Sequence, residues 1–329
     1  MARESITFYR LCSIILIFKN INQILMNNLF FFFLLFVSVA FLPQRGNAQQ
    51  NNPTIIVTTS WLAEHINDPS IVVLHVAQIR RDYEKGHIAG ARFLWPGWMA
   101  MSNPELSYEM LPVEQLDTLL EGLGVSNDSR IILCGTGGNV SAVARIFATL
   151  DYLGMGDKTS ILDGGIDAWK SEGRQVAKEI FAVKRGTFTP NLKKSVFVDV
   201  EFVKSNLNKS NISIVDVRPP NIYNGASSAG YSRAGHIPGA VNINSSTLID
   251  STNKLLPLPK LVEMFNAAGV KEGNDVVTYC NVGASASIAY VVARYLGFNA
   301  HLYDGSFEDW SSREELLIEI PVKQDSIKK

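Results

Sequence analysis

Four blocks of this 329-residue chain occur twice, in the same order. "GHIAGARF" at Gly86 returns as "GHIPGAVN" at Gly235, and "MLPVEQLDTLLEGLGV" at Met110 returns as "LLPLPKLVEMFNAAGV" at Leu255. "RIILCGTGG" at Arg130 returns as "DVVTYCNVG" at Asp275, and "LDGGIDAWK" at Leu162 returns as "YDGSFEDWS" at Tyr303. The spacing is about 145 residues, the size of a domain and far too long for a solenoid repeat. The fold must therefore be two copies of one unit. The polar stretch 182–194, "AVKRGTFTPNLKK", reads as the link. It leaves one unit over 54–181 and the other over 195–322.

Within a copy, short β-branched runs alternate with helical patterns. In copy 2, "ISIVDVR", "DVVTYC" and "AHLYDG" read as strands. "LPKLVEMFNAAGV" reads as a helix ending near Gly269, and "ASASIAYVVARYLG" as one closed by Gly297. Apolar strands alternating with helices predict an α/β fold: in each copy, a parallel sheet with helices on both faces. Ligands of such sheets sit beyond the carboxyl ends of the strands, and Cys280 falls at one of those ends.

The net charge of −1, with acids and bases interspersed, gives no electrostatic footprint for nucleic acid. The three cysteines, Cys12, Cys134 and Cys280, have no metal-ligand spacing, and the five histidines do not cluster. No metal or organic cofactor is expected. Leu29 to Leu42, "LFFFFLLFVSVAFL", has the length of a signal-peptide core, with small residues Gly46 and Ala48 placed for cleavage after Ala48. Residues 1–48 are thus expected to be a signal peptide, or an N-terminal anchor if uncleaved, with Met1 or Met26 as the start. That predicts an exported, periplasmic protein with no stable membrane insertion after cleavage.

Cys280 is followed by Asn281, Val282, Gly283, Ala284 and Ser285, and then by a helical run. A compact turn of small residues aims successive main-chain N–H groups at the sulfur, and the helix N-terminus adds its positive dipole end. Both favour the thiolate over the thiol. The chemistry implied is nucleophilic attack by sulfur, with the loop stabilising anionic sulfur before and after. The structural alternative is an inert cysteine ending a core strand.

With these residues in view, the chain resembles a tandem-domain rhodanese, a sulfurtransferase of the thiosulfate or 3-mercaptopyruvate type. The resemblance covers about Thr54 to Val322. It is carried by "VDVR" at Val215, "GHIPGAVNI" at Gly235, "YCNVGASAS" at Tyr279 and "YDGSFEDW" at Tyr303, with "GHIAGA" and "LDGGIDAW" in copy 1. It implies that Cys280 takes a sulfane sulfur from a small-molecule donor, becomes a persulfide, and passes the sulfur to cyanide or a thiol. A thioredoxin-like protein is an alternative acceptor. It also implies that Arg218 binds the anionic end of the donor, so that Arg218→Ala weakens donor use with little loss of fold. Asn281 through Ser285 are then the loop that holds the donor, and Asp216, His236 and Ile237 are structural.

The uncharged loop leans toward a mercaptopyruvate-like donor. Arg233 is either a second donor-binding arginine or a solvated surface residue. Cys134 occupies the matching place in copy 1, which raises the question of two active loops; copy 1 is otherwise expected to be non-catalytic. His87 belongs to a structural turn, or makes a minor substrate contact. "FLWPGWMAM", from Phe93, is core and inter-copy packing or an apolar wall facing Cys280. A phosphatase of related fold would need arginine six positions after the cysteine, and residue 286 is alanine. A non-catalytic persulfide carrier or thiol-binding module is the remaining alternative.

Overall fold

The structure, a computed structural model, describes residues 55–104 and 106–321. The expected leader lies outside them. No helix among the described residues is long and apolar enough to cross a membrane.

Copy 1 is built on strands β1 (Ile56–Val57), β2 (Ile71–Val76) and β3 (Arg92–Leu94), a short antiparallel pair β4 (Ala100–Met101) and β5 (Glu109–Met110), then β6 (Arg130–Gly135) and β7 (Thr159–Leu162). Its helices are α1 (Thr59–His65), α2 (Arg80–Glu84), α3 (Val113–Gly122), α4 (Val140–Tyr152) and α5 (Gly165–Ser171). Copy 2 has β8 (Phe197–Val198), β9 (Ile212–Asp216), β10 (Val241–Asn242), β11 (Asp275–Tyr279) and β12 (Asn299–Tyr303). Its helices are α6 (Val200–Ser205), α7 (Pro220–Tyr223), α8 (Leu258–Ala267), α9 (Ala286–Tyr295) and α10 (Ser306–Ser312).

The two main sheets have the same topology. Copy 1 runs β1-β7-β6-β2-β3, and copy 2, read in the matching direction, runs β8-β12-β11-β9-β10. Every pairing in both sheets is parallel, as expected when helices cover both faces. The duplication reaches single side chains. In α3 the buried pair is Leu116 and Leu120; in α8 it is Leu261 and Phe265, both at i, i+4. Each such side chain contributes about 2 kcal/mol by leaving water. Both helices stop at a glycine in the left-handed region, Gly124 at φ +76° and Gly269 at φ +87°.

The copies pack through α4 and α9, and one apolar cluster runs through both, including Val143, Phe147, Ile288 and Val292. Asp151 of α4, fully buried, accepts from the Tyr290 hydroxyl at 2.7 Å and pairs with Arg294 at 3.0 Å, both on α9. The expected link at 182–194 has no regular secondary structure but is pinned along copy 1. Gly186 donates to the Glu121 carbonyl, Asn191 to Leu153 and Lys193 to Tyr152, and Phe188 is buried.

Candidate active site

Strand register decides which cysteine stands where. Ile71 pairs with Arg130 in copy 1 as Ile212 pairs with Asp275 in copy 2, so His75 opposite Cys134 matches Asp216 opposite Tyr279. Cys134 therefore occupies the place of Tyr279, and Gly135 the place of Cys280. Cys134 is not the counterpart of Cys280 that the aligned blocks lead one to expect. One residue of offset turns a strand side chain to the other face. Cys134 accordingly packs with Val57, Leu62, Tyr83 and Ile166 on the outer face of its sheet. It is wholly buried, and burial, with the nearby Asp167 charge, pushes its thiol far above the ordinary range. Register and burial thus set Cys134 apart from Cys280.

Cys280 lies at the carboxyl end of β11, the central strand of its sheet, in the core shared by both copies, with 2% of its surface exposed. Its main-chain N–H donates to Ser306 Oγ at 3.2 Å, and its carbonyl accepts from Phe307 N at 3.0 Å. Ser306 holds φ at +52°, strained for a residue with a side chain. Its hydroxyl bridges Cys280 N and the Tyr303 carbonyl, and so fixes the start of the loop. The N–H groups of residues 281–285 donate to no acceptor among the described residues. Asn281 Oδ1 is likewise buried and unpartnered. Gly283 sits at φ +77°, where a Cβ would come within 2.9 Å of the Asp304 carbonyl oxygen and 3.1 Å of Arg145 Nη1. The loop is thus closed around its glycine while five amides stay uncommitted.

Copy 1 completes the surroundings. Its main-chain N–H at Ser107 donates to Glu308 Oε2 at 2.6 Å, and the Ser107 hydroxyl to Oε1 at 3.0 Å. Arg145, with 2% exposed, reaches from α4 to pair with Asp304 and donates to the Tyr108 carbonyl at 3.1 Å. Tyr108 itself is held at φ +66°. Next to it, Glu109 has one carboxylate oxygen buried without a partner. Burial first, then the negative charges of Asp304, Asp309 and Glu308, raise Glu109 to about 7 against the lowering effect of Arg145. From copy 2, Tyr231 stands edge-on to Phe307 at 5.9 Å. Its ionisation is pushed up to about 12 by burial and by Glu308 and Cys280. None of Ser107, Glu109, Arg145, Tyr231 or Glu308 was marked as a site residue by sequence reasoning. The one visible hint was the aromatic Tyr231 in a run of small residues.

Arg218 comes to the same region but is engaged. Its Nε donates to both carboxylate oxygens of Asp216 at 3.0 and 3.1 Å, and Nη2 to Asp216 Oδ2 at 2.6 Å and the Gly235 carbonyl at 2.7 Å. Its guanidinium lies 3.9 Å from the Phe307 ring centre, and only Nη1 lacks a partner. Removing its side chain leaves a fully buried Asp216 without its cation, which argues that Arg218→Ala costs stability as well as donor use. Arg233 is half-buried, and its Nε and both Nη nitrogens are engaged, donating to the carbonyls of Trp310, Ser311, Arg313 and Leu316. His236 stacks on Tyr223 at 3.8 Å, and His87 on Tyr83 at 3.9 Å, each with Nδ1 against that tyrosine's carbonyl. The stretch from Phe93 divides, with Leu94 and Met99 buried while Trp95, Trp98 and Met101 stay partly exposed.

In copy 1 the matching loop is spent differently. Gly137 N donates to Asp167 Oδ2 at 2.9 Å, and Asn139 N to the Thr136 carbonyl at 3.2 Å. A cavity of ≈ 40 Å³ lies there, walled by Gly135, Thr136 and Asp163 of copy 1 and by Asn253, Leu255 and Ile288 of copy 2.

The chain is similar to known proteins along both copies. The family model described as "Rhodanese-like domain" matches residues 58–172 and 199–313. The chain is 29% identical to the sulfur carrier protein TtuD of Thermus thermophilus over 82% of its own length and 97% of that protein's. It is 25% identical to the thiosulfate sulfurtransferase of Azotobacter vinelandii, covering 81% and 97%. The crystal structure of SseA from Escherichia coli, described as a 3-mercaptopyruvate sulfotransferase of the "rhodanese" fold, superposes with a TM-score of 0.68 at 26% identity, over 77% of this chain and 98% of that one. With its two repeated sheets and both matched segments, the chain belongs to the rhodanese-like domain family, whose domain it carries twice.

Proposed function

We propose that the protein is a sulfurtransferase that works through Cys280 and not through Cys134. The observation that carries this is the closed loop of five uncommitted main-chain N–H groups beginning at Asn281, directly after the sulfur. The thiolate of Cys280 attacks the transferable sulfur of a donor, the outer sulfane sulfur of thiosulfate or the thiol sulfur of 3-mercaptopyruvate. With thiosulfate the S–S bond breaks and sulfite leaves; with 3-mercaptopyruvate the C–S bond breaks and the pyruvate enolate leaves and takes up a proton. The outer sulfur of the persulfide carries the negative charge, and the amides of Asn281, Val282, Gly283, Ala284 and Ser285 stabilise it. A thiolate or cyanide then attacks that outer sulfur, and Cys280 departs as thiolate. Arg218 offers the two N–H groups of Nη1 to the donor and otherwise holds Asp216.

The uncharged loop and the carboxylates of Glu109, Glu308 and Asp304 around it support a donor with a single negative charge, such as 3-mercaptopyruvate, over the thiosulfate dianion. A thiol is the proposed acceptor, free or on a thioredoxin-like protein. The apolar segment at Leu29–Leu42 supports placing the reaction outside the cytoplasm. A second reading, a persulfide carrier without small-donor turnover, is favoured by the similarity to TtuD. Incubating the protein with each donor plus cyanide and following thiocyanate separates the two. Turnover with either donor supports the enzyme; sulfur loading of Cys280 without turnover supports the carrier.

A further inference from the structure

The two copies treat one carboxylate in opposite ways. Aligning "LDGGIDAW" with "YDGSFEDW" places Asp167 at the position of Glu308. In copy 1, Asp167 turns onto the loop and accepts from Gly137 N at 2.9 Å. By register Gly137 matches Val282, the second residue after Cys280. In copy 2 the Val282 amide is uncommitted, and the Glu308 carboxylate is instead held on both oxygens by Ser107, 201 residues away in the chain. Glu308 has not been carried far from the loop, because its own N–H donates to the Asn281 carbonyl at 3.0 Å.

We propose that Ser107 of copy 1 is a positioning residue for the Cys280 site: by holding Glu308 it keeps a carboxylate off the loop amides that the sulfur needs. This rests on the sulfur-transfer reading above. A carboxylate on those amides consumes donors that the thiolate would use and puts a second negative charge beside it, and both effects favour the neutral thiol. Copy 1 shows the arrangement this unit adopts when nothing withdraws the carboxylate. In copy 2 the withdrawing group is firmly placed: Ser107 precedes Tyr108, whose left-handed conformation is secured by the bond from Arg145 Nη2 at 3.1 Å. The catalytically silent copy thereby acquires a task, arming the loop of the other.

The rate of Cys280 alkylation by iodoacetamide, measured against pH on the full chain by mass spectrometry of the Cys280 peptide, tests this without any sulfur donor. A failed sulfur-transfer reading would therefore leave the outcome readable. Glu308→Asp, too short to reach Ser107 and matched in length to Asp167, is expected to slow alkylation at pH 7 about tenfold and to move the pH midpoint up by about one unit. Glu308→Ala, which removes the competing carboxylate, is expected to react at least as fast as the wild type. Ser107→Ala keeps the main-chain donor and is expected to slow alkylation about twofold to threefold, with the rate restored in Ser107→Ala/Glu308→Ala. Equal slowing in Glu308→Asp and Glu308→Ala would show a merely structural role and overturn the proposal. So would a Glu308→Asp protein that reacts at the wild-type rate, or a double variant that fails to recover.

Discussion

The loops that follow β6 and β11 are the same element met twice, and they differ in who occupies the amides. After β6, Gly135 stands where the nucleophile would be and Asp167 takes the Gly137 N–H. After β11, Cys280 stands at that place and the amides of residues 281–285 are uncommitted. The same backbone scaffold thus gives a self-capped loop in one copy and a loop with uncommitted amides in the other. Two changes separate them: a sulfur moved by one residue, and a carboxylate lengthened by one methylene and drawn off by the neighbouring copy. A duplicated fold keeps its architecture through the core and changes its chemistry through a few contacts at the carboxyl ends of its strands.

The largest expected effect tests which copy is active. Cys280→Ser should lower sulfur transfer by more than about a thousandfold, while Cys134→Ala should leave it within about twofold, as measured by thiocyanate formation. Adding Gly135→Cys to the Cys280→Ser background puts sulfur at the matching register in copy 1. No recovery is expected there, because Asp167 holds the amide; recovery would mean that register alone makes an active loop.

Next comes the buried pairing that joins the copies at the site. Arg145→Met leaves Asp304 without its cation and should cost about 3 kcal/mol of unfolding free energy. Arg218→Ala strands Asp216 in the same way and should cost about as much. Denaturant midpoints check both. Were Arg218→Ala to retain full stability while losing donor affinity, the arginine would be a donor clamp rather than a brace.

The smallest expected effect concerns Glu109, which copy 1 contributes to the rim. With its carboxyl raised to about 7, it is mostly neutral at pH 6 and mostly ionised at pH 8. Its charge faces Asp304, Glu308 and Asp309, with Arg145 the cation beside them. Affinity for an anionic donor should fall about threefold across that window as the carboxylate forms, and Glu109→Gln should flatten the profile. Because the folded-state value lies above the unfolded one, Glu109 lowers stability as pH rises from the ordinary carboxylate range through about 7. Glu109→Gln should therefore raise the melting temperature at pH 8 more than at pH 5.

Much of this was visible in the sequence, because it rests on local patterns. The four repeated blocks announce two copies, the i, i+4 pairs Leu116–Leu120 and Leu261–Phe265 announce matching helices, and Gly124 and Gly269 announce their ends. The place of Cys280 before a helix follows from the same patterns. The register of Cys134 was also present in the aligned blocks "RIILCGTGG" and "DVVTYCNVG", but matching one cysteine to another hides the one-residue offset that puts it on the opposite face. What could not be read is what the tertiary fold brings together over long chain distances. No pattern in the sequence links Ser107 to Glu308 or Arg145 to Asp304. Nor does a motif say that the guanidinium of Arg218 is already committed to Asp216, since that depends on burial and side-chain geometry.

The most direct test is peptide mass spectrometry after incubation with 3-mercaptopyruvate or thiosulfate and rapid removal of the donor. The expected result is one added sulfur atom on the peptide that contains Cys280 and none on the peptide that contains Cys134. An unmodified Cys280, or the added sulfur on Cys134, would contradict the assignment of the open loop as the sulfur-carrying site.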